Sequence, residues 1–262
     1  MATGMRIEFI GLPGAGKTTL RRRLLSSLRD GGSRSYLSSE EAFLEVARQD
    51  MDRMFKLPLQ LLPDALALAL VGRLANRSLM QFEAQSRFLA QHGVALEAFL
   101  GSPVYETMSQ RDRERVIGNF LSMGSFWEIA SSQHLADSVV LFEEGLTQKS
   151  FMFIDHAAGW KSDKPGVLSY LANIPRADLV INVYASIETS YRRMLSRPDG
   201  LTNRLRSLDE SAIRRFLQIA ADHMDTVRQW FESRQSDHYF EFNSEDQDSA
   251  QFDSLLQRLG IQ

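Results

Sequence analysis

The sequence predicts a three-layer α/β fold, in which about five parallel strands form one sheet with helices packed on both faces. Two mainly apolar runs, at residues 138–142 and 178–184, are typical of strands that a parallel sheet buries on both faces. Strand-like segments alternate with segments whose apolar residues have helical spacing, which favours right-handed crossover connections. Residues 40–136 show helical patterns and no good strand, so we predict a helical insertion into the α/β core.

The first elements of the predicted core lie before the insertion. A short apolar strand at residues 6–10 runs into a glycine-rich segment. Leucines at helical spacing predict a helix over residues 18–28, and Gly31 and Gly32 end it, as glycine does at many helix C-termini. Residues 36–37 form a weaker second strand. Turn-forming residues divide the helices of the insertion at Pro58, Pro63, Gly93 and residues 101–103.

The remaining elements follow the insertion. The two apolar runs supply strands three and four, and residues 238–242 form a fifth strand at an edge of the sheet. An arginine-rich turn at residues 196–207 is the candidate for a mobile lid. The predicted helices of this half cover residues 147–158, 187–195, 209–233 and 249–259.

Length and composition are those of a globular chain. The 262 residues are 44% hydrophobic and 24% charged, and we predict one domain over residues 1–262 with a sizeable core. The formal net charge of −3 argues against nucleic acid as a partner. The chain has no cysteine, which excludes disulfides, thiolate metal sites and cysteine nucleophiles and fits a reducing compartment.

The sequence also predicts a cytoplasmic location. The N-terminus has no apolar segment of the kind found in signal peptides. The most apolar stretch, residues 57–71, is shorter than the roughly 20 apolar residues that span a bilayer, and it contains two prolines and Asp64. We interpret it as a buried helix, with contact to a membrane surface or a partner as the alternative. The oligomeric state stays open, with a homodimer among the alternatives.

The glycine-rich segment carries the strongest functional signal. Its sequence is Gly11-Leu12-Pro13-Gly14-Ala15-Gly16-Lys17-Thr18, which matches the P-loop motif G-x-x-x-x-G-K-[ST] between a strand and a helix. In such a loop the backbone N–H groups and the positive end of the helix face the phosphates of a nucleotide. The lysine reaches the β- and γ-phosphates, and the threonine hydroxyl binds Mg²⁺. The residues that we expect to bind the nucleotide are Gly11, Pro13, Gly14, Ala15, Gly16, Lys17, Thr18 and Thr19.

This loop resembles that of P-loop kinases, the group that contains thymidylate kinase, adenylate kinase and the deoxynucleoside kinases. A second passage, residues 173–183 followed by a helix with Arg193 and Arg197, is similar to the segment of thymidylate-kinase-like proteins that leads into the lid. The resemblance covers residues 5–38 and 138–206. It implies a three-layer P-loop NTPase fold with strand order 2-3-1-4-5. It also implies ATP and Mg²⁺ as cofactors and a small-molecule acceptor, which would be a nucleoside, a nucleotide or a sugar-like hydroxyl.

Three carboxylates are candidates for the chemistry next to the loop. Glu143 follows the strand predicted to lie beside the P-loop strand, where a carboxylate can hold Mg²⁺ or accept a proton. Glu144 stands where the related kinases have an arginine, a departure that weakens the transfer of nucleoside or nucleotide specificity. Glu40, after the second strand, occupies the place of the glutamate base of deoxynucleoside kinases. Either Glu40 or Glu144 would take the acceptor proton. The alternatives are loop capping for Glu143 and Glu144 and helix N-capping for Glu40.

Arginines in and before the lid are candidates for charge stabilisation. Arg193 and Arg197 lie four residues apart and so share one helix face, and Arg204 lies beyond the turn. Guanidinium groups on a closing loop would neutralise charge during phosphoryl transfer, whereas a solvated basic loop is the alternative. We interpret residues 21–23, a run of three arginines, as a solvated helix face. Three arginines of the insertion are interpreted as surface charges that could also contact an anionic acceptor: Arg111, Arg113 and Arg115.

The sequence therefore predicts transfer of the γ-phosphoryl group from Mg²⁺-ATP to a small molecule. The late strands lack the Asn-Lys-x-Asp motif that recognises guanine, which favours ATP over GTP. The alternative is an ATPase or nucleotide-dependent switch whose insertion binds a macromolecular partner. Phosphorylation of nucleic-acid ends is a weaker third hypothesis, against which the net negative charge argues.

Overall fold

A computed structural model describes residues 4–31, 35–50, 79–155, 161–197, 201, 205–206, 208–246 and 249–260. The predictions made for residues 57–71 and for Arg204, and most of the predicted lid, lie outside these residues.

One five-stranded parallel sheet forms the centre of the molecule. In chain order the strands are β1 Met5–Ile10, β2 Ser35–Ser38, β3 Ser138–Phe142, β4 Ile154–Asp155, β5 Lys161–Ser162, β6 Leu179–Tyr184 and β7 Tyr239–Asn243. The sheet has the order β2-β3-β1-β6-β7, and β4 and β5 form a separate antiparallel hairpin. Counted over the strands of the large sheet this is 2-3-1-4-5, so the predicted order is confirmed.

The helices of the described residues lie between these strands. They are α1 Lys17–Gly31, α2 Ser39–Asp50, α3 Leu79–Leu100, α4 Pro103–Thr107, α5 Gln110–Ala130, α6 Lys164–Asn173, α7 Ile187–Leu195, α8 Glu210–Arg234 and α9 Ser249–Arg258. Short 3₁₀ helices at Gln133–Leu135, Thr147–Phe153 and Ser236–His238 precede β3, β4 and β7.

The sheet order places the functional loops together. Ile7 of β1 is paired with Leu141 of β3 on one side and with Leu179 of β6 on the other, so the P-loop strand is central. All five residues of β3 are buried, as its unbroken apolar sequence predicts. Because the five strands are parallel, the loops that follow them open at one edge of the sheet.

Aromatic side chains join the insertion to the α/β core. The ring of Trp127 in α5 stacks on that of Phe142 in β3, with 5.5 Å between ring centroids. The ring of Phe120, also in α5, packs edge-on against that of Tyr170 in α6 at 6.1 Å. One cluster of buried side chains therefore extends from the sheet into the insertion.

Three details differ from the sequence-based predictions. The helix predicted over residues 147–158 is wrong: a 3₁₀ helix, Thr147–Phe153, ends in strand β4, which pairs with β5. Gly93 does not end a helix, because α3 continues through it with a kink at His92 (φ −126°, ψ 17°). Helix α6 was missed, although Asp163 as N-cap, a proline in the first turn and buried Val167, Tyr170 and Leu171 are its sequence signal.

Candidate active site

The glycine-rich loop connects β1 to α1 with a backbone that its glycines permit. Gly11, Gly14 and Gly16 have φ angles of 137°, 84° and 104°, which side chains on L-residues disfavour. A Cβ atom at Gly11 would also collide with the carbonyl oxygen of Val183, and one at Gly14 with that of Ser190. The loop therefore packs tightly against β6 and α7 and presents the first turn of α1 at the edge of the sheet.

A cavity of about 950 Å³ opens in front of this loop. The P-loop and the first turn of α1 line one side with Pro13, Gly14, Gly16, Lys17, Thr18 and Thr19. Helix α5 and the 3₁₀ helix Thr147–Phe153 also line the cavity, with Arg115, Asn119, Gln148, Lys149, Phe151 and Met152. The cavity lies at the upper end of the range of small-ligand sites, about 300–1,000 Å³.

Lys17 is buried in this cavity and has a lowered pKa. Its ammonium donates to the carbonyl oxygens of Gly11, at 2.9 Å, and Leu12, at 3.2 Å. Burial lowers the pKa of Lys17 to about 8, and the nearby charge of Arg197 acts in the same direction, while Glu144 and Glu143 oppose the shift. An anionic phosphate next to the amine would favour the charged form.

Gln148 fixes the start of the loop and was missed by sequence analysis. Its side-chain oxygen accepts from the backbone N–H of Gly11 at 2.9 Å, and its side-chain nitrogen donates to the carbonyl of the same residue at 3.3 Å. The two contacts fix the peptide groups on both sides of the Gly11 α-carbon. The carbonyl of Gly11 also accepts from Lys17, so this amide positions the lysine as well.

A buried carboxylate holds the segment that carries Gln148. Glu8 of β1 accepts hydrogen bonds from the backbone N–H groups of Leu146 and Thr147, both at 2.9 Å. Burial raises the pKa of Glu8, and these hydrogen bonds oppose the shift. A glutamate between Ile7 and Phe9 in an otherwise apolar strand is the sequence signal that could have identified it.

Glu143 lies between the P-loop threonine and an arginine of α1. The hydroxyl of Thr18 donates to one oxygen of Glu143, and the guanidinium of Arg21 is 2.9 Å from the other. The interpretation of residues 21–23 as a solvated face is therefore wrong for Arg21, whose side chain is only 15% exposed. Arg21 also approaches Glu40 at 3.9 Å.

The other two candidate carboxylates have different surroundings. Glu144 lines the cavity, and one of its oxygens is 3.6 Å from the ammonium of Lys149. Glu40 is exposed at the start of α2, and the capping role belongs to its neighbour Glu41. Glu41 accepts from the backbone N–H of Ser38 at 2.8 Å, and the Ser38 hydroxyl accepts from the backbone N–H of Glu41 at 3.2 Å.

Arg193 joins three elements around the loop. Its guanidinium donates to the carbonyl of Ala15 at 3.2 Å and to the hydroxyl and carbonyl of Ser244 at 2.8 Å and 3.1 Å. Helix α7, the P-loop and the loop after β7 are thus held together. Arg197 lines the cavity four residues further along, and Arg204 lies outside the described residues.

The residues around Thr18 fit a magnesium ion that is bound together with phosphates. A hydroxyl and a carboxylate are hard oxygen ligands, and Mg²⁺ commonly takes few protein ligands and completes its shell with phosphate oxygens and water. No group of three or more His, Asp or Glu side chains that could enclose a metal by itself is found in the described part of the chain.

The described helices include none that is both long and apolar enough to cross a membrane.

The proteins that the chain resembles are found among solved structures. No protein-family model matches the chain, and no curated protein matches its sequence. A deoxyadenosine kinase from M. mycoides with bound dCTP is 13% identical over 98% of this chain and 99% of that one, with a TM-score of 0.46. Shikimate kinase from Acinetobacter baumannii with shikimate is 14% identical over 99% and 95% of the two chains, with a TM-score of 0.40. The chain's own sheet order and P-loop carry the assignment to a three-layer P-loop NTPase fold.

Proposed function

We propose that this protein is a kinase that transfers the γ-phosphoryl group of ATP to a hydroxyl of a small molecule. The observation that carries the proposal is one cavity that is lined by the P-loop and also by charged, polar and aromatic side chains from other elements. Such a cavity has room for a nucleoside triphosphate and for an acceptor placed next to its γ-phosphate. Positioning two reactants in one site is a large part of catalysis of phosphoryl transfer.

The donor side accounts for phosphate binding and charge stabilisation. The loop amides, the N-terminal end of α1 and Lys17 would hold the β- and γ-phosphates. Thr18 and Glu143 would hold Mg²⁺, which, when bound, neutralises charge on the phosphate oxygens. Arg193 would hold the loop in shape through its contact with the carbonyl of Ala15, and Arg197 would contact the transferring group.

The contacts favour Glu144 over Glu40 as the group that takes the acceptor proton. Glu144 lines the cavity, 3.6 Å from the ammonium of Lys149, and its charge acts on Lys17 as well. Glu40 is 63% exposed and approaches Arg21, whose guanidinium also holds Glu143. Glu143 has one oxygen at Thr18 and the other at Arg21, which suits a metal ligand better than a proton acceptor.

Product-resolved mass spectrometry tests the proposal. The protein is incubated with Mg²⁺-ATP and a mixed pool of nucleosides, nucleotides, sugars and cell metabolites. We expect one compound to gain a phosphoryl group, and we expect Lys17→Ala to lower the rate by a factor on the order of 100 or more. Lys164→Ala, which removes an exposed lysine at the start of α6, is the matched control and should leave the rate unchanged.

A different result would favour the switch hypothesis. If the protein binds ATP and no metabolite gains a phosphoryl group, the small-molecule kinase is contradicted. Hydrolysis that a macromolecule stimulates would then indicate a nucleotide-dependent switch.

A further inference from the structure

The side chains that line the cavity from α5 and the 3₁₀ helix differ in chemical character from those of the P-loop. We call the side chains of Arg115, Asn119, Lys149, Phe151 and Met152 the acceptor end, because they line the cavity from α5 and the 3₁₀ helix Thr147–Phe153. The group combines two cationic side chains with an amide and apolar surface. Such a mixture of a few polar groups on an apolar wall is typical of small-ligand sites.

The cavity as a whole is cationic although the chain carries a net charge of −3. Among the described residues that line it, five side chains are cationic and two are carboxylates. Three of the cationic ones belong to the donor side: Lys17 in the P-loop, Arg193 at the carbonyl of Ala15, and Arg197, which lies two residues beyond the end of α7 and not on the helix face predicted for it. The positive charges of Arg115 and Lys149 remain for the acceptor.

Both of these cations have partners that a ligand could replace. The guanidinium of Arg115 is 2.7 Å from a carboxylate oxygen of Asp112 on the same helix, and both side chains are about half exposed (50% and 45%). Lys149 is 3.6 Å from Glu144, which is 56% exposed. The Arg115 pair is exposed on both sides, and such pairs contribute little to stability, so an anionic ligand can compete for Arg115. Lys149 is less exposed, at 23%, but its distance of 3.6 Å from Glu144 is too long for a hydrogen bond, so its ammonium can also turn to a ligand.

We propose that the acceptor carries an anionic group of the phosphate or carboxylate type and that Arg115 and Lys149 bind it. The inference rests on the proposed kinase function, and it narrows the acceptor to a molecule with both a hydroxyl and an anion. A planar guanidinium matches two oxygens of such an anion, and the ammonium adds a point charge.

Binding of the anion also has a consequence for the proton acceptor. When Lys149 turns to the ligand, Glu144 loses its ion-pair partner at the moment the hydroxyl arrives. The hydroxyl oxygen then forms its bond to the γ-phosphorus, the bond from that phosphorus to the bridging oxygen of ADP breaks, and the hydroxyl proton passes to Glu144. Lys149 is thus a specificity-determining residue.

A binding experiment tests the anion site without requiring turnover. The nucleotide side is saturated with Mg²⁺ and β,γ-imido-ATP, and the melting temperature is followed while inorganic phosphate or, separately, acetate is added against sodium chloride of equal ionic strength. We expect stabilisation by at least one of the two anions, and the stronger one indicates the class. Arg115→Gln and Lys149→Gln should each weaken that binding about tenfold, a loss of about 1.4 kcal/mol.

The matched control lies on the same helix. Arg113 donates to the carbonyl of Glu106 at 2.9 Å and lies over the ring of Tyr105, and it does not line the cavity. Arg113→Gln should therefore bind the anion like the unsubstituted protein. If neither anion binds, or if all three variants bind it equally well, the proposal is wrong.

Turnover separates this inference from the kinase proposal. Matched pairs of acceptors are compared, such as thymidine with thymidine monophosphate and glucose with glucose 6-phosphate. Both proposals are supported if the protein prefers the anionic acceptor of each pair and if Arg115→Gln loses this preference mainly through a higher KM. Preference for neutral members contradicts the anion site and leaves the kinase intact. Anion binding that depends on Arg115, with no phosphorylated product in the metabolite pool, contradicts the kinase and leaves the anion site.

Discussion

At the scale of single residues, Lys17 combines burial with a positive charge. Its side chain is 8% exposed, and its ammonium donates to two carbonyl oxygens of its own loop. Burial of a cation is unfavourable and lowers its pKa, in this case to about 8. The folded protein thus maintains a lysine that is easily deprotonated until an anion arrives, and ATP binding should be coupled to proton uptake.

The expected proton uptake depends on pH. Bound phosphates raise the pKa of Lys17, so ATP binding at pH 8.5 should take up about three quarters of a proton, and about a tenth at pH 7. Since protons are taken up, affinity for ATP should fall as the pH rises above about 8. Isothermal titration calorimetry in two buffers of different ionisation enthalpy measures the uptake.

The conservative variant provides the control for this measurement. An arginine stays protonated throughout this pH range. ATP binding to Lys17→Arg should therefore not be accompanied by proton uptake. Equal uptake in the two proteins would assign the proton to another group, and no uptake at pH 8.5 would contradict the lowered pKa.

At the scale of elements, His223 connects α8 to the 3₁₀ helix Thr147–Phe153 and to β5. Its ring is fully buried, with one nitrogen 2.9 Å from the hydroxyl of Ser150 in the 3₁₀ helix and the other 2.8 Å from that of Ser162 in β5. Burial lowers the pKa of His223 to about 3. The 3₁₀ helix also carries Gln148, so the hydrogen bond of His223 to Ser150 holds an element that lines the cavity.

This histidine should make the protein sensitive to mild acid. The folded pKa lies below the unfolded value of about 6.5, so the unfolded chain binds the proton first and stability falls as the pH drops below 6.5. Between pH 7 and pH 5 the loss from this group is about 2 kcal/mol. Urea unfolding gives the free energy of unfolding at the two pH values. Its decrease from pH 7 to pH 5 should be smaller by that amount in His223→Gln than in the unsubstituted protein. An equal difference in both proteins would show that the ring does not titrate in this way.

The elements that could be predicted from sequence are those whose signal is local. The P-loop is one contiguous motif, and β3 and β6 are mainly apolar runs. A few consecutive residues were therefore enough to locate each of them in the sequence. The positions of Gln148 and Arg21 depend on contacts with Gly11 and Glu143, more than 100 residues away in the sequence. A 3₁₀ helix stands where a regular helix was predicted, and the carboxylate of Glu8 holds its first N–H groups, again through a distant contact.

At the scale of the whole molecule, the insertion and the core share one set of buried side chains. Arg6 of β1 lies 4.9 Å from the centre of the Trp127 ring, which stacks on Phe142 of β3. The ring of Phe120 packs on those of Phe88 in α3 and Tyr170 in α6. The hydroxyl of Tyr170 in turn donates to the carbonyl of Leu146 at 2.8 Å, beside the cavity. Both walls of the site therefore depend on one core, and the single domain over residues 1–262 stays a prediction that unfolding can test.

Phe120→Ala should destabilise the insertion and the sheet together. Loss of this fully buried ring should cost about 3–5 kcal/mol. Hydrogen exchange measured by mass spectrometry should show the same loss of protection in peptides from α5 and from β3, because one cooperative unit opens as a whole. Phe82→Ala, on a ring of α3 that is 67% exposed, is the control and should change stability by less than about 0.5 kcal/mol. Loss of protection confined to α5 would mean that the insertion unfolds by itself. In that case the acceptor end could open while the P-loop stays folded, and acceptor exchange would not require opening of the nucleotide side.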